Sequence, residues 1–105
     1  MPLEYWEACD SRQGGLLDDI SENALCIRSP EDMRIGAELR IRIFFSLGHE
    51  FDGFQVSAVI TGKDVCCEGG WEIYEYVLEI VEISEQDRLK LRNLLRLRQL
   101  KQIYS

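Results

Sequence analysis

Ala37-Glu38-Leu39-Arg40-Ile41-Arg42-Ile43-Phe44-Phe45 alternates: Leu39, Ile41, Ile43 and Phe45 point one way, Glu38, Arg40 and Arg42 the other. A side-chain period of two with one apolar face is the pattern of a half-buried β-strand. Outward from this stretch the same period recurs. Over residues 54–61, Val56, Ala58 and Ile60 share a face opposed by Gln55, Ser57 and Thr61. Over residues 71–83, Ile73, Val77, Val81 and Ile83 make the predicted apolar set, interleaved with Glu72, Glu75, Glu79 and Glu82. Shorter strands are predicted at 15–19 and 24–28, with another near 3–8. Turns are predicted at Ser29-Pro30, Gly36, Leu47-Gly48-His49, Asp52-Gly53, Gly62-Lys63-Asp64 and Glu68-Gly69-Gly70. Five or six short strands at nearly even spacing imply a mainly β protein, an antiparallel sandwich or barrel, because closure removes exposed sheet edges.

The period changes at Ser84. Ser84-Glu85-Gln86-Asp87 is close to a capping box, in which the hydroxyl accepts from a free N–H of the first turn and the Asp87 carboxylate reaches back. At about 100° per residue, Leu91, Leu94 and Leu95 fall within a third of the helix circumference, and Leu97, Leu100, Ile103 and Tyr104 fall nearly opposite. The first group is expected to cap an open end of the barrel. For the second, two readings stand: the helix bends or frays after Arg96, or Leu97, Leu100 and Tyr104 form a seam with a second copy or another protein.

The chain has 105 residues, 46% hydrophobic and 30% charged, which suits one domain with a core of its own. Residues 1–83 form the predicted barrel and residues 84–105 its terminal helix. Residues 1–83 carry 17 acids and 6 bases (−11) and residues 84–105 carry 2 acids and 6 bases (+4), together the net −7 of the chain. An acidic body repels a phosphate backbone, so DNA binding is not expected. No apolar run is long enough to span a bilayer, and the acidic start MPLEYWEACD lacks the basic opening of a signal peptide. The expected location is the cytoplasm.

Cys9, Cys26, Cys66 and Cys67 form no CxxC pair, and His49 is the sole histidine, so no metal site is expected. Bridging the adjacent Cys66 and Cys67 would be strained, which favours reduced thiols. His49, between Gly48 and Glu50, reads as a turn residue. No nucleophile with a positioned base and no phosphate-binding glycine loop is present. Nothing marks the chain as an enzyme.

Asp18-Asp19-Ile20-Ser21-Glu22-Asn23-Ala24-Leu25-Cys26-Ile27, followed after a proline-containing loop by Met33-Arg34-Ile35-Gly36-Ala37-Glu38-Leu39, resembles the PilZ family. There, a strand ends in D/N-x-S-x-x-G, a short strand follows, and a loop ending in Gly leads into an apolar strand. Leu78 to Asp87 is similar to that family's last strand entering its final helix, so the likeness covers about residues 14–96. The resemblance implies a six-stranded antiparallel PilZ-like split β-barrel with a C-terminal α-helix. It also implies a role in bacterial signalling by cyclic di-guanylate, controlling motility, pili or polysaccharide.

In binding members of that family, an RxxxR pair clamps the dinucleotide while the D/N-x-S-x-x-G turn contacts guanine and phosphate. Guanidinium forks suit this task because they bond phosphate bidentately and stack on purines. Carried across, Asp19 and Ser21 match, Ala24 stands at the Gly position, and Asn23 precedes it. Arg12 is the sole base before Arg28, and four residues earlier stands Ala8, so the arginine pair is not reproduced. The expected site is therefore Arg12, Asp19, Ser21, Asn23 and Ala24, with no cofactor and cyclic di-guanylate as possible ligand. Weakened or lost binding with output through protein contact is one expectation; a working receptor with an incomplete clamp is the other. A third reading of Asp19 and Ser21 needs no ligand: their side chains satisfy nearby backbone groups in a turn.

Overall fold

The computed structural model describes residues 2–7, 13–47 and 50–104, with the backbone alone at 47, 50, 68 and 97–104. Six strands and one helix follow in order: β1 (Pro2–Trp6), β2 (Gln13–Ile20), β3 (Ala24–Ser29), β4 (Glu38–Leu47), β5 (Glu50–Glu68), β6 (Trp71–Ile83) and α1 (Glu85–Tyr104). Every pairing is antiparallel, and the strands close in the order β1-β2-β3-β6-β5-β4, with β4 back against β1. The expected six-stranded barrel with a terminal helix is the observed one. Gly48 and His49 of the predicted 47–49 turn lie outside the described residues, as does Cys9.

β4 supplies the clearest match between pattern and packing. Leu39, Ile41 and Ile43 are fully buried and Phe45 nearly so, joined in the core by Leu25 and Ile27 from β3 and by Phe54, Val56, Ala58 and Ile60 from β5. At the β5–β6 connection Glu68 pairs with Trp71, and Gly69 (φ 58°) and Gly70 (φ 84°) make the two-residue turn whose left-handed backbone favours glycine.

Two predicted turns proved to be interior positions of β5. At Asp52-Gly53 the chain stays extended because glycine allows close approach to β4, where an added Cβ would sit 2.9 Å from the Ile43 carbonyl oxygen. At Gly62-Lys63-Asp64 the pairing runs from Ile60↔Leu78 to Gly62↔Val77, leaving Thr61 as the extra residue of a bulge. The Thr61 hydroxyl donates to the Val77 carbonyl (3.2 Å), and Asp64 Oδ1 accepts from the Val65 N–H (2.9 Å). Turn-forming side chains are thus satisfied locally without reversing the chain.

β6 corrects a second expectation. Tyr76 and Leu78 are fully buried, and Tyr74 and Ile80 pack against the core, while Val77 and Val81 face outward. Register explains the choice: Tyr76 lies opposite buried Ile27 and Val77 opposite Cys26, and directly opposed residues share a face. Val81 is then the extra residue of a bulge between Ala58↔Ile80 and Val56↔Ile83, which resets the phase and turns Ile83 inward.

Leu91 and Leu94 of α1 are buried against the barrel and Leu95 partly so, as the first apolar group of the helix required. The Asp87 N–H donates to Ser84 Oγ (3.2 Å), so Ser84 is the N-cap. The Asp87 carboxylate does not reach back to Ser84 as expected; it accepts from the Gln55 N–H of β5 (3.4 Å) and ties the helix start to the barrel. Ser84→Ala is expected to cost about 1 kcal/mol, read as a lower urea midpoint with unchanged slope. The helix runs from Glu85 to Tyr104.

One polar cluster sits at the edge of the core, with Tyr5 and Ser29 buried and Glu31 exposed. The Tyr5 hydroxyl bonds Ser29 Oγ and donates to Glu31 Oε2 (3.0 Å), while Ser29 Oγ accepts the Glu31 N–H (3.1 Å). Burial, augmented by Glu31 and partly offset by the Ser29 hydrogen bond, pushes the Tyr5 phenol up to about 12. A phenol that holds its proton more tightly when folded contributes stability in full below its unfolded value near 10, and loses it as pH climbs from about 10 to 12. Tyr5→Phe is expected to flatten that decline, measured as urea midpoints between pH 9 and 12.

Candidate functional site

The β2–β3 connection gathers four of the five residues expected at a nucleotide site. Ile27 and Leu25 anchor β3 in the core, Leu17 and Ile20 anchor β2, and the chain reverses between them over Ser21, Glu22 and Asn23. Ser21 organises the reversal: its N–H donates to the Ala24 carbonyl (2.8 Å), and its Oγ accepts from the Ala24 N–H (3.1 Å) and the Asn23 N–H (3.4 Å). Asp19 Oδ1 accepts the Ile20 N–H (2.9 Å). The Asn23 carbonyl accepts the Ile80 N–H (2.8 Å) and pins the turn to β6. Ala24 needs no left-handed backbone, since among the described residues positive φ occurs only at glycines. Its methyl group occupies space that the family's glycine leaves open.

The electrostatics around the turn are negative. Asp18 is the extra residue of a β2 bulge, between Leu17↔Ile27 and Asp19↔Cys26. Its carboxylate takes the guanidinium of Arg28 (Nε to Oδ2, 2.6 Å), which also lies 3.5 Å from Glu75 Oε1. Glu22, at the tip, draws Arg92 of α1 to 3.5 Å. The Cys26 thiol reports the balance: burial pushes it up, and Asp18, Glu75 and Asp19 push it further, against a smaller opposing pull from Arg28. A dianionic ligand approaching here meets carboxylates, and Arg28 is already taken up by two of them.

Arg12 lies outside the described residues. Leu97, Leu100 and Tyr104 belong to the C-terminal half of α1, where the backbone alone is described. Arg40 and Arg42 stand two strands round the barrel from β2, on the outer face of β4. They line a groove of about 800 Å³ with Phe44, Phe51, Gln55 and Lys90, between the β4–β5 face and the start of the helix. Lys90 pairs there with Asp52 (2.9 Å), and its hydrogen bond, with that from the Gly53 N–H, holds the Asp52 carboxyl below its usual range. The sequence offered a signal for this groove, two arginines on the polar face of one strand, but such a face is ordinarily just solvated.

The fold and the turn together define a small antiparallel barrel with an Asp-x-Ser turn and a capping helix. The chain belongs to the PilZ domain family, whose model matches residues 6–97. No match is found among curated protein sequences. Among solved structures it is similar to the Bacillus subtilis inhibitor of motility MotI/DgrA, with TM-score 0.75 and 19% identity over 95% of this chain and 47% of that one. It is also similar to the Borreliella burgdorferi PlzA protein, solved in complex with c-di-GMP, with TM-score 0.60 and 14% identity over 95% of this chain and 45% of that one. The chain therefore spans about half the length of these structures. Among the described residues, no helix is long and apolar enough to cross a membrane.

Proposed function

We propose that this chain is a bacterial regulatory domain of cyclic di-guanylate signalling, acting in the cytoplasm through protein contact, with its hold on the nucleotide weakened or lost. Membership of the PilZ family, and the binding of that dinucleotide by the similar PlzA, support the signalling part. The observation that carries the rest is the turn: Ser21 and Asp19 bond their own backbone, and Arg28 is taken up by Asp18 and Glu75. A charge-assisted hydrogen bond contributes about 1.5–3 kcal/mol and each 1.4 kcal/mol is tenfold in affinity, so absence of several guanidinium contacts costs a few powers of ten. The domain performs no chemical step in this reading; it transmits by binding.

Calorimetric titration of the chain with cyclic di-guanylate tests the reading. The expected result is no saturable heat in the micromolar range, with Arg12→Ala indistinguishable from the parent chain. Saturable micromolar binding that Arg12→Ala abolishes would establish instead the working receptor, built on Arg12, Asp19 and Ser21.

A further inference from the structure

β6 is apolar on both faces. Its inner face supplies Tyr74, Tyr76, Leu78 and Ile80 to the core, yet its outer face presents Trp71 (77% exposed), Ile73, Val77 (48%) and Val81 (54%), with Leu16 of β2 (58%) alongside. A strand apolar on both sides is the signature of a sheet covered on both sides, and contiguous exposed apolar area marks an interaction surface. The acids on this face are Glu75 and Glu79, with Glu72 and Glu82 beside them, and Arg28 is the cation that meets Glu75. Two copies joined through this same face would oppose carboxylate to carboxylate. The occupant must bring apolar side chains flanked by positive charge.

The chain's own terminal helix has that chemistry. Residues 84–105 carry +4. At about 100° per residue, Leu97, Leu100 and Tyr104 form one stripe, with Arg96 and Lys101 at its two margins and Leu91, Leu94 and Leu95 on the opposite side. The latter three are spent on the core of their own barrel. Leu97 to Tyr104 rises about 10 Å along a helix and Val77 to Val81 spans about 13 Å along a strand, so the two surfaces match in length.

We infer that the C-terminal half of α1 from a second copy of this chain seats on the outer face of β6, Leu97, Leu100 and Tyr104 meeting Val77 and Val81, and Arg96 and Lys101 meeting Glu79 and Glu82. The inference rests on the reading that the domain acts through protein contact and names the partner as another copy. Done reciprocally, the exchange closes as a two-fold dimer with two such contacts.

Sedimentation of the full chain tests it. Twice the 12.2 kDa chain mass is expected at roughly 100 µM, weakening with added salt because the flanking charges are exposed. Val77→Lys, at an exposed position that leaves the core intact, is expected to weaken association at least tenfold, and removal of residues 97–105 to leave a monomer. Glu79→Lys should weaken the dimer, and combining it with Lys101→Glu should restore it. A monomeric parent chain, a dimer indifferent to Val77→Lys, or a charge exchange that restores nothing would overturn the inference. Circular dichroism of each variant separates lost association from lost folding. A monomer that ignores cyclic di-guanylate sinks this inference while leaving the loss of nucleotide binding in place; a dimer that binds the dinucleotide tightly does the opposite.

Discussion

Leu91→Ala is expected to cost about 2–5 kcal/mol of stability, a large part of the 5–15 kcal/mol that holds a small domain together. Leu91 is 1% exposed, and with Leu94 it fills the barrel end that α1 covers. Truncation forfeits the transfer free energy of the lost methyl groups and opens a cavity that a closed barrel is poorly able to collapse. Polar contacts also hold the first half of the helix: Ser84 caps it, Asp87 bonds Gln55, Lys90 reaches Asp52 and the Gly53 carbonyl, and Arg92 lies 3.5 Å from Glu22. Urea unfolding followed by far-ultraviolet circular dichroism measures the loss. Leu89→Ala is the control, since Leu89 is 60% exposed and its truncation should move stability by no more than about 0.5 kcal/mol.

Tyr76→Phe is the second large effect, about 2–4 kcal/mol from the removal of one oxygen. The ring of Tyr76 is completely buried, and its hydroxyl accepts the Met33 N–H (2.7 Å) while donating to the Glu31 carbonyl. Phenylalanine keeps the packing and leaves the buried Met33 N–H without its partner, at roughly 1–3 kcal/mol, with a smaller addition from the part-buried Glu31 carbonyl. The loop that carries Met33 into the core is also fastened by Tyr5 and Ser29 to Glu31, by Lys63 to Asp32, and further on by the Gly36 N–H to the Ile60 carbonyl (2.8 Å) and the Ile60 N–H to the Ala37 carbonyl (3.0 Å). Amide exchange should therefore accelerate first over residues 31–34. Tyr74→Phe, whose hydroxyl meets only exposed Glu72 at 3.3 Å among the described residues, is expected to change stability by less than about 1 kcal/mol.

The parts of this fold legible in the sequence are those where local pattern and tertiary packing agree. β4 alternates strictly and packs that way; Ser84 is a cap in sequence and in space; Leu91, Leu94 and Leu95 share a helical face and a common pocket. What the sequence concealed depends on register. Both faces of β6 are apolar, so periodicity alone had no means of choosing Tyr76 and Leu78 over Val77 and Val81; pairing with Cys26 and Ile27 made the choice. Asp52-Gly53 and Gly62-Lys63-Asp64 carry turn chemistry, yet a close approach and a bulge use it inside one long strand. At the candidate site, the Asp19-x-Ser21 turn was visible as a motif. The bond between Arg28 and Asp18 was not, because Asp18 reaches it by a bulge that no spacing announces.

The proposed loss of nucleotide binding rests on a turn in which Asp19 and Ser21 bond nearby backbone groups. The most direct measurement follows the backbone amides of residues 19–24 by two-dimensional nitrogen–proton resonance while cyclic di-guanylate is added. The signals of Ile20, Asn23 and Ala24 are predicted to stay fixed through a large excess of the dinucleotide. Saturable movement of those three signals at micromolar concentrations would contradict it.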